Sequence, residues 1–433
     1  MIAVAGLGSA GVAATVLGEP KPVEKLGSAR VEFKGSQSPA KLEHHYLVSR
    51  KKKAFWPMWG LGPTRSRVVP GDNKLRPPFK VRYVVHGHAM IEYPPVIAYG
   101  RFYFGTYKGR LIAARVSDGH IAWQRNLGRC IASSPAVGGH VIYITSMGPA
   151  PCRRHWPRMR GMIFALNARS GRILWHLSAG LIESSPLLIG HTLYFASYDS
   201  VDHSTIWALN TRTHRQEWTY PAPSKITSSP AYFNHTIYIG AYSTTLYALD
   251  ARTGKLVYST RPVGYFSGNH SGFYGTPAIA YGRVYIGGLD GHVYAFGTRT
   301  GALRWVRTTD GYVYSSPAVW NGLVFAGSFG NQRFYALGAA TGLVRWSFKA
   351  EGTIIGSPTV LAGIVYFSTT SGHTYALDAM TGVKIWEFPD GCFSPIVVAG
   401  NRVLLTGKGR VYGLDPVHRR PRAAPTGKTT KAK

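Results

Sequence analysis

A self-similar unit of 40–50 residues fills most of this 433-residue chain, and no other sequence feature constrains the fold as strongly. Each unit opens with a two-residue step that ends in proline, and an alternating strand with an aromatic residue follows. The eight steps are Pro94-Pro95, Ser134-Pro135, Ser185-Pro186, Ser229-Pro230, Thr276-Pro277, Ser316-Pro317, Ser357-Pro358 and Ser394-Pro395. Short strands with a period of two, separated by glycine-rich turns, predict antiparallel β-structure.

The second half of the unit contains two more strands joined by a tight turn. In residues 250–255 the Asp250 carboxylate can accept hydrogen bonds from nearby amides, and Gly254 can take the positive φ that the turn needs. The equivalent glycines are Gly119, Gly171, Gly301, Gly342 and Gly382, whereas His214 occupies this position in the third unit. A repeat of about 40 residues with four strands predicts a β-propeller.

Aromatic residues on the closing strands are predicted to lie between neighbouring blades. They are Trp123, Trp175, Trp218, Tyr258, Trp305, Trp346 and Trp386. A large ring buries roughly 150–250 Å² in such a position. We therefore prefer this structural role to that of an aromatic cage for a ligand.

The number of units predicts how the ring closes. Seven units are complete, whereas the eighth, residues 394–415, supplies only three strands. Residues 79–85 precede the first unit at the place where closing strands lie elsewhere, and they can provide the fourth strand. The predicted fold is therefore an all-β, eight-bladed propeller of four-stranded antiparallel blades, closed by an N-terminal strand that removes the last exposed sheet edge.

The run Tyr-Ala-Leu-Asp-Ala-x-Thr-Gly-x-x-x-Trp closely resembles the repeat of the pyrroloquinoline-quinone (PQQ)-like propellers. That family includes quinoprotein alcohol dehydrogenases and the outer-membrane assembly lipoprotein BamB. The resemblance covers about residues 79–415, and residues 55–60 with Arg65 also look like the aromatic lead-in of many such proteins. The overall pattern is most similar to membrane-anchored or secreted actinobacterial members. The resemblance implies the fold far better than the function, because propellers host catalysts and binding platforms alike.

The same resemblance implies what a quinoprotein enzyme would need: a calcium site of Glu, Asn and Asp, a catalytic Asp, a Trp beneath the quinone and often a vicinal disulfide. Calcium requires several oxygen ligands, usually including carboxylates. The propeller has only 14 acidic residues, four of them assigned to repeat turns, and the chain has no adjacent cysteines. We therefore predict no PQQ, no calcium or other metal, and no catalytic residue. A PQQ-dependent dehydrogenase stays as the alternative.

Charge gives the main indication of partners. The chain has 50 Lys and Arg against 19 Asp and Glu, a net charge of +31, and residues 93–175 hold 12 basic residues and one acid, Asp118. Such a field attracts phospholipid, anionic wall polymer or nucleic acid, although solubility and a compositional bias toward Arg would also account for it. Nucleic acid is disfavoured because the basic residues fall in turns rather than along an aromatic groove. The predicted partner is a protein or an anionic envelope component.

The ends of the chain differ in composition from the repeats. Residues 1–17 are apolar and uncharged, and as a helix they would span roughly 25 Å, slightly less than a bilayer core. We interpret them as the truncated end of a signal-anchor helix, with a plain apolar leader as the alternative. Residues 18–53 form a basic linker, 54–78 an aromatic lead-in, 79–415 the propeller and 416–433 a basic disordered tail. These segments predict a monomeric, membrane-anchored, extracytoplasmic protein of unsettled orientation, or a secreted one.

Two insertions break the repeat, and function on a propeller usually resides in such loops. Residues 147–160 are basic, aromatic and proline-rich, and residues 264–274 are rich in glycine and aromatic residues. The candidate contact residues are Arg153, Arg154, His155, Trp156, Arg158, Arg160, Tyr265, Phe266, Asn269 and His270. Either loop could equally be a connection without a partner.

The three cysteines leave two alternatives. Cys130 enters the second unit and Cys152 lies in its insertion, so a bridge between them is geometrically feasible and would fix the basic loop to the propeller. The other alternative is three free, buried thiols. Cys392 has no obvious partner and is interpreted as a small buried hydrophobe.

The preferred hypothesis from the sequence is a non-catalytic, membrane-tethered propeller scaffold that mediates protein or envelope contacts outside the cytoplasm. The alternatives are a quinoprotein dehydrogenase and a ligand-binding sensor propeller.

Overall fold

The computed structural model describes residues 24–39, 41, 56–69, 75–150, 152, 159–262, 272–393 and 395–417. Within these residues there are 33 β-strands and one 3₁₀-helix, Gly35–Gln37, and no described helix is long and apolar enough to span a bilayer. The strands form eight sheets, which confirms the predicted all-β, eight-bladed propeller. The first two strands, β1 (Val68–Val69) and β2 (Phe79–His86), precede the repeats.

The first half of the ring contains four regular blades. Blade 1 has strands β3–β6: Val96–Ala98, Arg101–Gly105, Arg110–Arg115 and Ile121–Asn126. Blade 2 has β7–β10: Ala136–Gly138, Val141–Ser146, Gly161–Asn167 and Ile173–Ala179. Blade 3 has β11–β14: Leu187–Ile189, Thr192–Ser200, His203–Asn210 and Gln216–Ala222. Blade 4 has β15–β18: Ala231–Phe233, Thr236–Gly240, Leu246–Asp250 and Leu256–Thr260.

The second half repeats the arrangement. Blade 5 has β19–β22: Ala278–Ala280, Arg283–Gly287, His292–Gly297 and Leu303–Thr308. Blade 6 has β23–β26: Ala318–Trp320, Leu323–Gly327, Arg333–Gly338 and Val344–Lys349. Blade 7 has β27–β30: Thr359–Leu361, Ile364–Ser368, Thr374–Asp378 and Lys384–Phe388, with β1 added in parallel to β27. Blade 8 has β31–β33: Ile396–Ala399, Arg402–Thr406 and Arg410–Pro416.

The N-terminal strand β2 closes the ring. It pairs antiparallel with β33, from Phe79 opposite Pro416 to His86 opposite Arg410, and thereby supplies the fourth strand of blade 8. The predicted closing strand is confirmed and is one residue longer than predicted. Because its outer strand comes from the other end of the chain, blade 8 lacks the turn that ends the other repeats.

The first strand of each blade lies next to the central channel, and contacts between blades 1 and 2 and between blades 4 to 7 join neighbouring first strands. Two ends of the ring can then be distinguished. We call the end that carries the turns between strands 1 and 2 and between strands 3 and 4 of each blade the turn end. We call the opposite end, where the connections between blades lie, the mouth.

At the turn end, closing-strand aromatics contact the next blade. Trp218 donates from Nε1 to the Ala251 carbonyl at 2.9 Å, and its ring lies 2.6 Å from where a Cβ on Gly254 would be. Glycine is therefore required there both for its φ of +70° and for this close approach. Equivalent indole hydrogen bonds join Trp123 to Ala168, Trp305 to Ala339 and Trp346 to Ala379, and Tyr258 donates through its hydroxyl to Thr298.

Two members of the aromatic set meet a different partner. Trp175 faces His214, the residue that replaces the turn glycine in blade 3, with ring centroids 4.9 Å apart. Trp386 faces Phe79 of the closing strand at 5.4 Å, because blade 8 has no turn at this place. All seven aromatic residues thus lie between blades, and the buried apolar clusters are shared between neighbouring blades in the same way.

Candidate functional site

Residues 56–69, which we call the plug, follow the inner wall of the central channel and bond to the first strands of six blades. Trp56 and Ile97 of blade 1 exchange two backbone hydrogen bonds of 2.9 and 2.7 Å. Five further first-strand amides donate to plug carbonyls: Val137 to Pro57, Tyr232 to Pro63, Ile279 to Thr64, Val319 to Ser66 and Val360 to Arg67. Inner edge strands have amides that need acceptors, and the plug supplies those acceptors.

Arg65 fixes the plug to blades 3 and 4. Its side chain is 1% exposed, and it donates to the carbonyls of Pro230 at 3.0 Å and Pro186 at 3.4 Å. It also donates to the carbonyl of Trp59 within the plug itself. The guanidinium therefore crosslinks the proline steps of two blades to the plug backbone, with charge-assisted hydrogen bonds.

Arg67 does the same for blade 7. It donates to the carbonyls of Pro358 at 2.6 Å and Ser357 at 3.3 Å, and its guanidinium lies 4.0 Å from the centroid of the Trp59 ring. Burial, and then the charge of Arg65, lowers the pKa of Arg67 to about 9. Both arginines have φ near +60°, at 57° and 61°, a conformation that such residues adopt only where the surroundings hold them.

One position of the repeat contributes a side chain to the mouth from every blade. It lies between a buried apolar residue and the proline step, as Thr227 lies between Ile226 and Ser228. We call these eight side chains the mouth ring: Glu92, Ala132, Glu183, Thr227, Tyr274, Tyr314, Ile355 and Phe393. Seven of these side chains lie three residues before the proline that ends the step, and Phe393 lies two residues before it. The ring therefore presents six residue types from closely similar positions.

Six members of the mouth ring line a central cavity, which we call the cup. The cup has about 460 Å³ of space, part of it open to solvent, and Trp59 of the plug lies in its wall. The other two members, Ala132 and Glu183, line a second cavity that shares Glu92 and Tyr274 with the cup. The plug therefore contributes to the wall of the cup through Trp59, and the two cavities adjoin at the mouth.

Hydroxyl groups in the cup retain unused hydrogen-bonding capacity. Ser316 accepts from the Thr276 amide at 2.8 Å, and Ser357 accepts from the Ser316 amide at 2.9 Å. Each hydroxyl keeps a proton to donate, for which the described part of the chain offers no acceptor. Thr227 is 4% exposed, and its Oγ1 has no hydrogen-bond partner among the described residues. Such buried groups are unfavourable, so a ligand that satisfies them gains affinity.

The acidic members of the mouth ring lie at the entrances to blades 1 and 3. Glu92 accepts a hydrogen bond from the Tyr107 hydroxyl, and burial followed by the Glu92 charge raises the pKa of Tyr107. Glu183 accepts from the Tyr198 hydroxyl at 2.5 Å and pairs with Lys225 at 3.7 Å. Lys225 also lies 4.3 Å from the Tyr198 ring centroid. This side of the mouth carries both carboxylates and tyrosines.

The opposite side of the mouth is aromatic. The rings of Tyr274 and Tyr314 meet edge-on at 5.3 Å, and Phe329 continues the contact at 5.4 Å from Tyr314. Burial raises the pKa of Tyr274 well above its usual value, so that it stays neutral and protonated. Tyr274 also reaches the acidic side, because it lines the second cavity together with Glu92 and Glu183.

Most of the contact residues predicted in the two insertions lie outside the described residues. These are Arg153, Arg154, His155, Trp156, Arg158, Tyr265, Phe266, Asn269 and His270. Arg160 is described and exposed, and its carbonyl accepts from Arg129 at 2.6 Å. The described ends of both loops reach the mouth, because Met147 and Cys152 line the second cavity and Tyr274 lines both.

Cys130 and Cys152 form a disulfide, with Cα atoms 5.1 Å apart. The bond joins the first insertion to the connection that enters blade 2. Cys392 is a buried free thiol, and burial raises its pKa to about 11. Of the two alternatives that the sequence left open, the structure has the bridged arrangement.

The donor set of the cup does not fit PQQ with calcium. The quinone carries three carboxylates, whereas the described residues that line the cup include Glu92 and no Lys or Arg. Calcium takes six to eight oxygen ligands, usually several of them carboxylates, and Glu92 already accepts from Tyr107. Among the described residues, no three His, Cys, Asp or Glu side chains come together to hold a metal ion.

Sequence reasoning missed both the plug and the mouth ring. Residues 55–60 and Arg65 were singled out only as a lead-in, although their aromatic and basic composition suits a segment buried in a polar channel. The mouth ring had a signal in the repeat itself: the residue between the apolar anchor and the proline step varies in charge and size from unit to unit.

Comparison with known proteins gives the family. The sequence matches the family described as outer membrane protein assembly factor BamB over residues 84–199, 108–229, 202–313 and 290–418. No curated protein sequence matches significantly. The crystal structure of BamB from Moraxella catarrhalis superimposes with a TM-score of 0.64 at 19% identity, covering 80% of this chain and 100% of that one.

Quinoprotein enzymes share the fold as well. A europium-containing methanol dehydrogenase gives a TM-score of 0.69 at 12% identity, covering 86% of this chain and 100% of its own. Quinohemoprotein alcohol dehydrogenase from Comamonas testosteroni gives 0.70 at 13% identity, covering 91% and 86%. At these identities the structural likeness shows the architecture alone.

Proposed function

Because the chain belongs to the BamB family of β-propellers, we propose that it is a non-catalytic scaffold that holds a protein partner at its mouth. The proposal includes the location expected from the sequence: outside the cytoplasm and tethered to a membrane through residues 1–17. The family match supports an envelope-associated role. The tether itself rests on the apolar composition of residues 1–17, which lie outside the described residues.

The mouth ring is the observation that carries the proposal. Eight side chains of six residue types converge on adjoining cavities, and such a surface can distinguish partners by the arrangement of their side chains. An extended partner segment would place a cationic side chain near Glu92 and an apolar one against Tyr314. Its backbone carbonyls would accept from the hydroxyls of Ser316 and Ser357.

The plug supports a scaffold in preference to a channel-centred catalyst. It bonds to six first strands and places buried arginines beneath the cup. Filling the channel with the chain's own residues stabilises the ring and leaves the mouth as a rigid platform. Rigid platforms favour binding because little conformational entropy is lost on association.

Site-specific photocrosslinking in intact envelopes tests the proposal. A photoreactive residue at position 314 in the mouth is compared with one at position 257, where Val257 is exposed on the outer strand of blade 4. We expect a discrete crosslinked partner from position 314 only, and a weaker product when Glu92→Gln or Thr227→Val is added. The same products from both positions, or no effect of these substitutions, would contradict a partner site at the mouth.

A quinoprotein dehydrogenase stays as the second candidate because Trp59 and Glu92, residue types found around the quinone in that class, both line the central cup. Purified protein supplied with PQQ and calcium is assayed for dye-linked alcohol oxidation. We expect no turnover above that of the Glu92→Gln variant. Turnover that depends on Glu92 would replace the scaffold proposal. A sensor propeller would instead show saturable binding of a small ligand in the cup.

A further inference from the structure

Exposed basic side chains form a continuous arc at the turn end of blades 1 to 4. We call this set the basic arc; it contains Arg115, Arg169, Arg172, Arg212, Arg215, Arg252 and Lys255, with His120, His140, His191, His214 and His235 among them. Two acids of the same turns are already engaged. Asp118 pairs with Arg115 at 2.9 Å, and Asp250 accepts from the amide and hydroxyl of Thr253 at 2.7 Å.

The repeat itself places these residues on one surface. In each blade the turn between strands 3 and 4 donates a backbone hydrogen bond to the turn between strands 1 and 2. Those bonds are Val116 to Gly100, Ala168 to His140, Thr211 to His191 and Ala251 to His235, at 2.8–3.0 Å. The Trp123 and Trp218 indoles then join neighbouring blades at the same level, so the arc belongs to a rigid surface.

Four arginines at the centre of the arc make no side-chain hydrogen bond or ion pair within the described part of the chain. They are Arg169 and Arg172 of blade 2, and Arg212 and Arg215 of blade 3. Each side chain is exposed, and only backbone atoms of these residues bond to the turns. Like charges held at fixed turns repel one another, and an anionic partner relieves that repulsion.

The turn end of blade 5 is covered instead. Residues 24–37 cross it, and the buried Arg283 donates to the carbonyls of Ser28 at 2.7 Å and Val31 at 2.9 Å. Arg304 pairs with Glu32 of the same segment at 2.7 Å. Basic side chains are thus neutralised where the N-terminal segment packs, whereas no segment that the structure describes crosses the basic arc.

We propose that the basic arc docks on an anionic phospholipid surface. The charges lie on the ends of four adjacent blades rather than in a groove, and this spread suits a planar array of headgroups. The exposed aromatic of this region, Tyr99, already stacks on His140 at 4.2 Å, so it is not available to stack on bases as a nucleic-acid site would require.

The described chain ends near the turn end as well. The described chain ends at Val417, whose amide donates to the Pro78 carbonyl at 2.9 Å beside the turn end of blade 8. The 16 residues that follow contain six Lys and Arg and no acid. Docking extends the proposed function, because it would direct the mouth away from the bilayer. It rests on that function only in taking the bilayer to be the membrane to which the chain is tethered.

Flotation of the full chain with lipid vesicles tests the proposal. Vesicles of phosphatidylcholine alone are compared with vesicles of equal parts phosphatidylcholine and phosphatidylglycerol. We expect binding to the anionic vesicles that weakens steeply with salt. The combined variant R169Q, R172Q, R212Q and R215Q should bind at least about tenfold more weakly, since each basic residue near an anionic surface contributes appreciably.

A matched variant controls for net charge. K108Q, K408Q, R110Q and R410Q remove the same charge from exposed residues at the mouth end of blades 1 and 8, and binding should stay within about twofold of the unmodified chain. Equal losses in both variants, or equal salt-insensitive binding to both vesicle types, would overturn docking through the arc. So would tighter, arc-dependent binding to soluble polyphosphate than to vesicles, which would identify a polymer partner. None of these outcomes bears on crosslinking at the mouth.

Discussion

The turn end and the mouth are built from the same eight repeats, yet they differ in almost every physical respect. At the turn end blades 1 to 7 repeat the same backbone hydrogen bond between their two turns, and four indoles donate to the next blade's turn. At the mouth the equivalent positions carry Glu, Thr, Tyr, Ile, Phe or Ala. The repeat therefore keeps its geometry at one end and varies its chemistry at the other.

The difference indicates where sequence is constrained by folding and where it is available for recognition. A residue substituted in a turn must still pack against the aromatic side chain of the neighbouring blade, as His214 does against Trp175. A mouth-ring residue contacts a cavity, and its replacement leaves the strands intact. We therefore expect substitutions at the turn end to change stability, and substitutions at the mouth to change binding.

The largest expected effect comes from removing what both ends share, the plug and the closing strand. Deletion of residues 1–90 leaves β33 and the first strands without partners, so we expect aggregation and no cooperative unfolding. Deletion of residues 1–54 keeps the plug and β2, and should give a folded protein that is less stable because residues 24–37 are lost. Size-exclusion chromatography and thermal unfolding distinguish the two. Equal stability would contradict the role assigned to β2 and the plug.

A single substitution at each end sharpens the comparison. Trp305 is fully buried between blades, and Trp305→Ala should cost roughly 3–5 kcal/mol as a large-to-small core change. Tyr312 at the mouth is 38% exposed, and Tyr312→Ala should cost about 1 kcal/mol or less. Denaturant unfolding measures both. A cost below about 1 kcal/mol for Trp305→Ala would remove the distinction between the two ends.

Removal of the disulfide tests whether a residue near the mouth also contributes to the stability of the fold. The bridge spans 22 residues, and its loss in Cys152→Ser should cost roughly 3 kcal/mol in the chain-entropy model. Unfolded, unreduced protein should show one free thiol per chain, that of Cys392. Three reactive thiols would refute the bridge and weaken the case for an oxidising compartment.

The smallest effect concerns a turn-end hydroxyl. Tyr103 donates to the Ala168 carbonyl at 3.2 Å, so Tyr103→Phe should cost about 1 kcal/mol at neutral pH. Burial, chiefly, raises the pKa of Tyr103 to about 12 from 10. A raised folded pKa gives stability that is complete below pH 10 and lost as the pH rises toward 12.

The variant should therefore lose less stability than the unmodified chain over that alkaline range. Chemical unfolding at several pH values, with tyrosinate absorbance as a second signal, provides the measurement. If the free energy of unfolding fell equally with pH in both proteins, ionisation of Tyr103 would not destabilise the fold, and the prediction would be wrong.

Local patterns in the sequence were sufficient for the architecture. Alternation, the glycine turns and the aromatic of each closing strand lie within one repeat, and the missing strand of blade 8 pointed to residues 79–85. The plug could not be predicted in this way, because the pairing of Arg67 with Val360 spans most of the chain and has no local signature. Thr227 and its equivalents could not be recognised from the repeat pattern, because that pattern is defined by the residues that recur in every unit, and the mouth-ring position carries a different residue in most units.

The pairing of residues 56–69 with first strands around the ring imposes an order of assembly. The plug is synthesised before any blade, yet its last acceptor bonds to blade 7, and β2 waits for β33 at the far end of the chain. Contacts of such high sequence separation slow folding and leave edges exposed until the chain is complete. During that interval Arg67 can stay hydrated until blade 7 closes around it, whereas the partners of Arg65 lie in blades 3 and 4. Completion of the molecule is therefore a single late event, and a chain truncated near its C-terminus would lose the channel and the ring together.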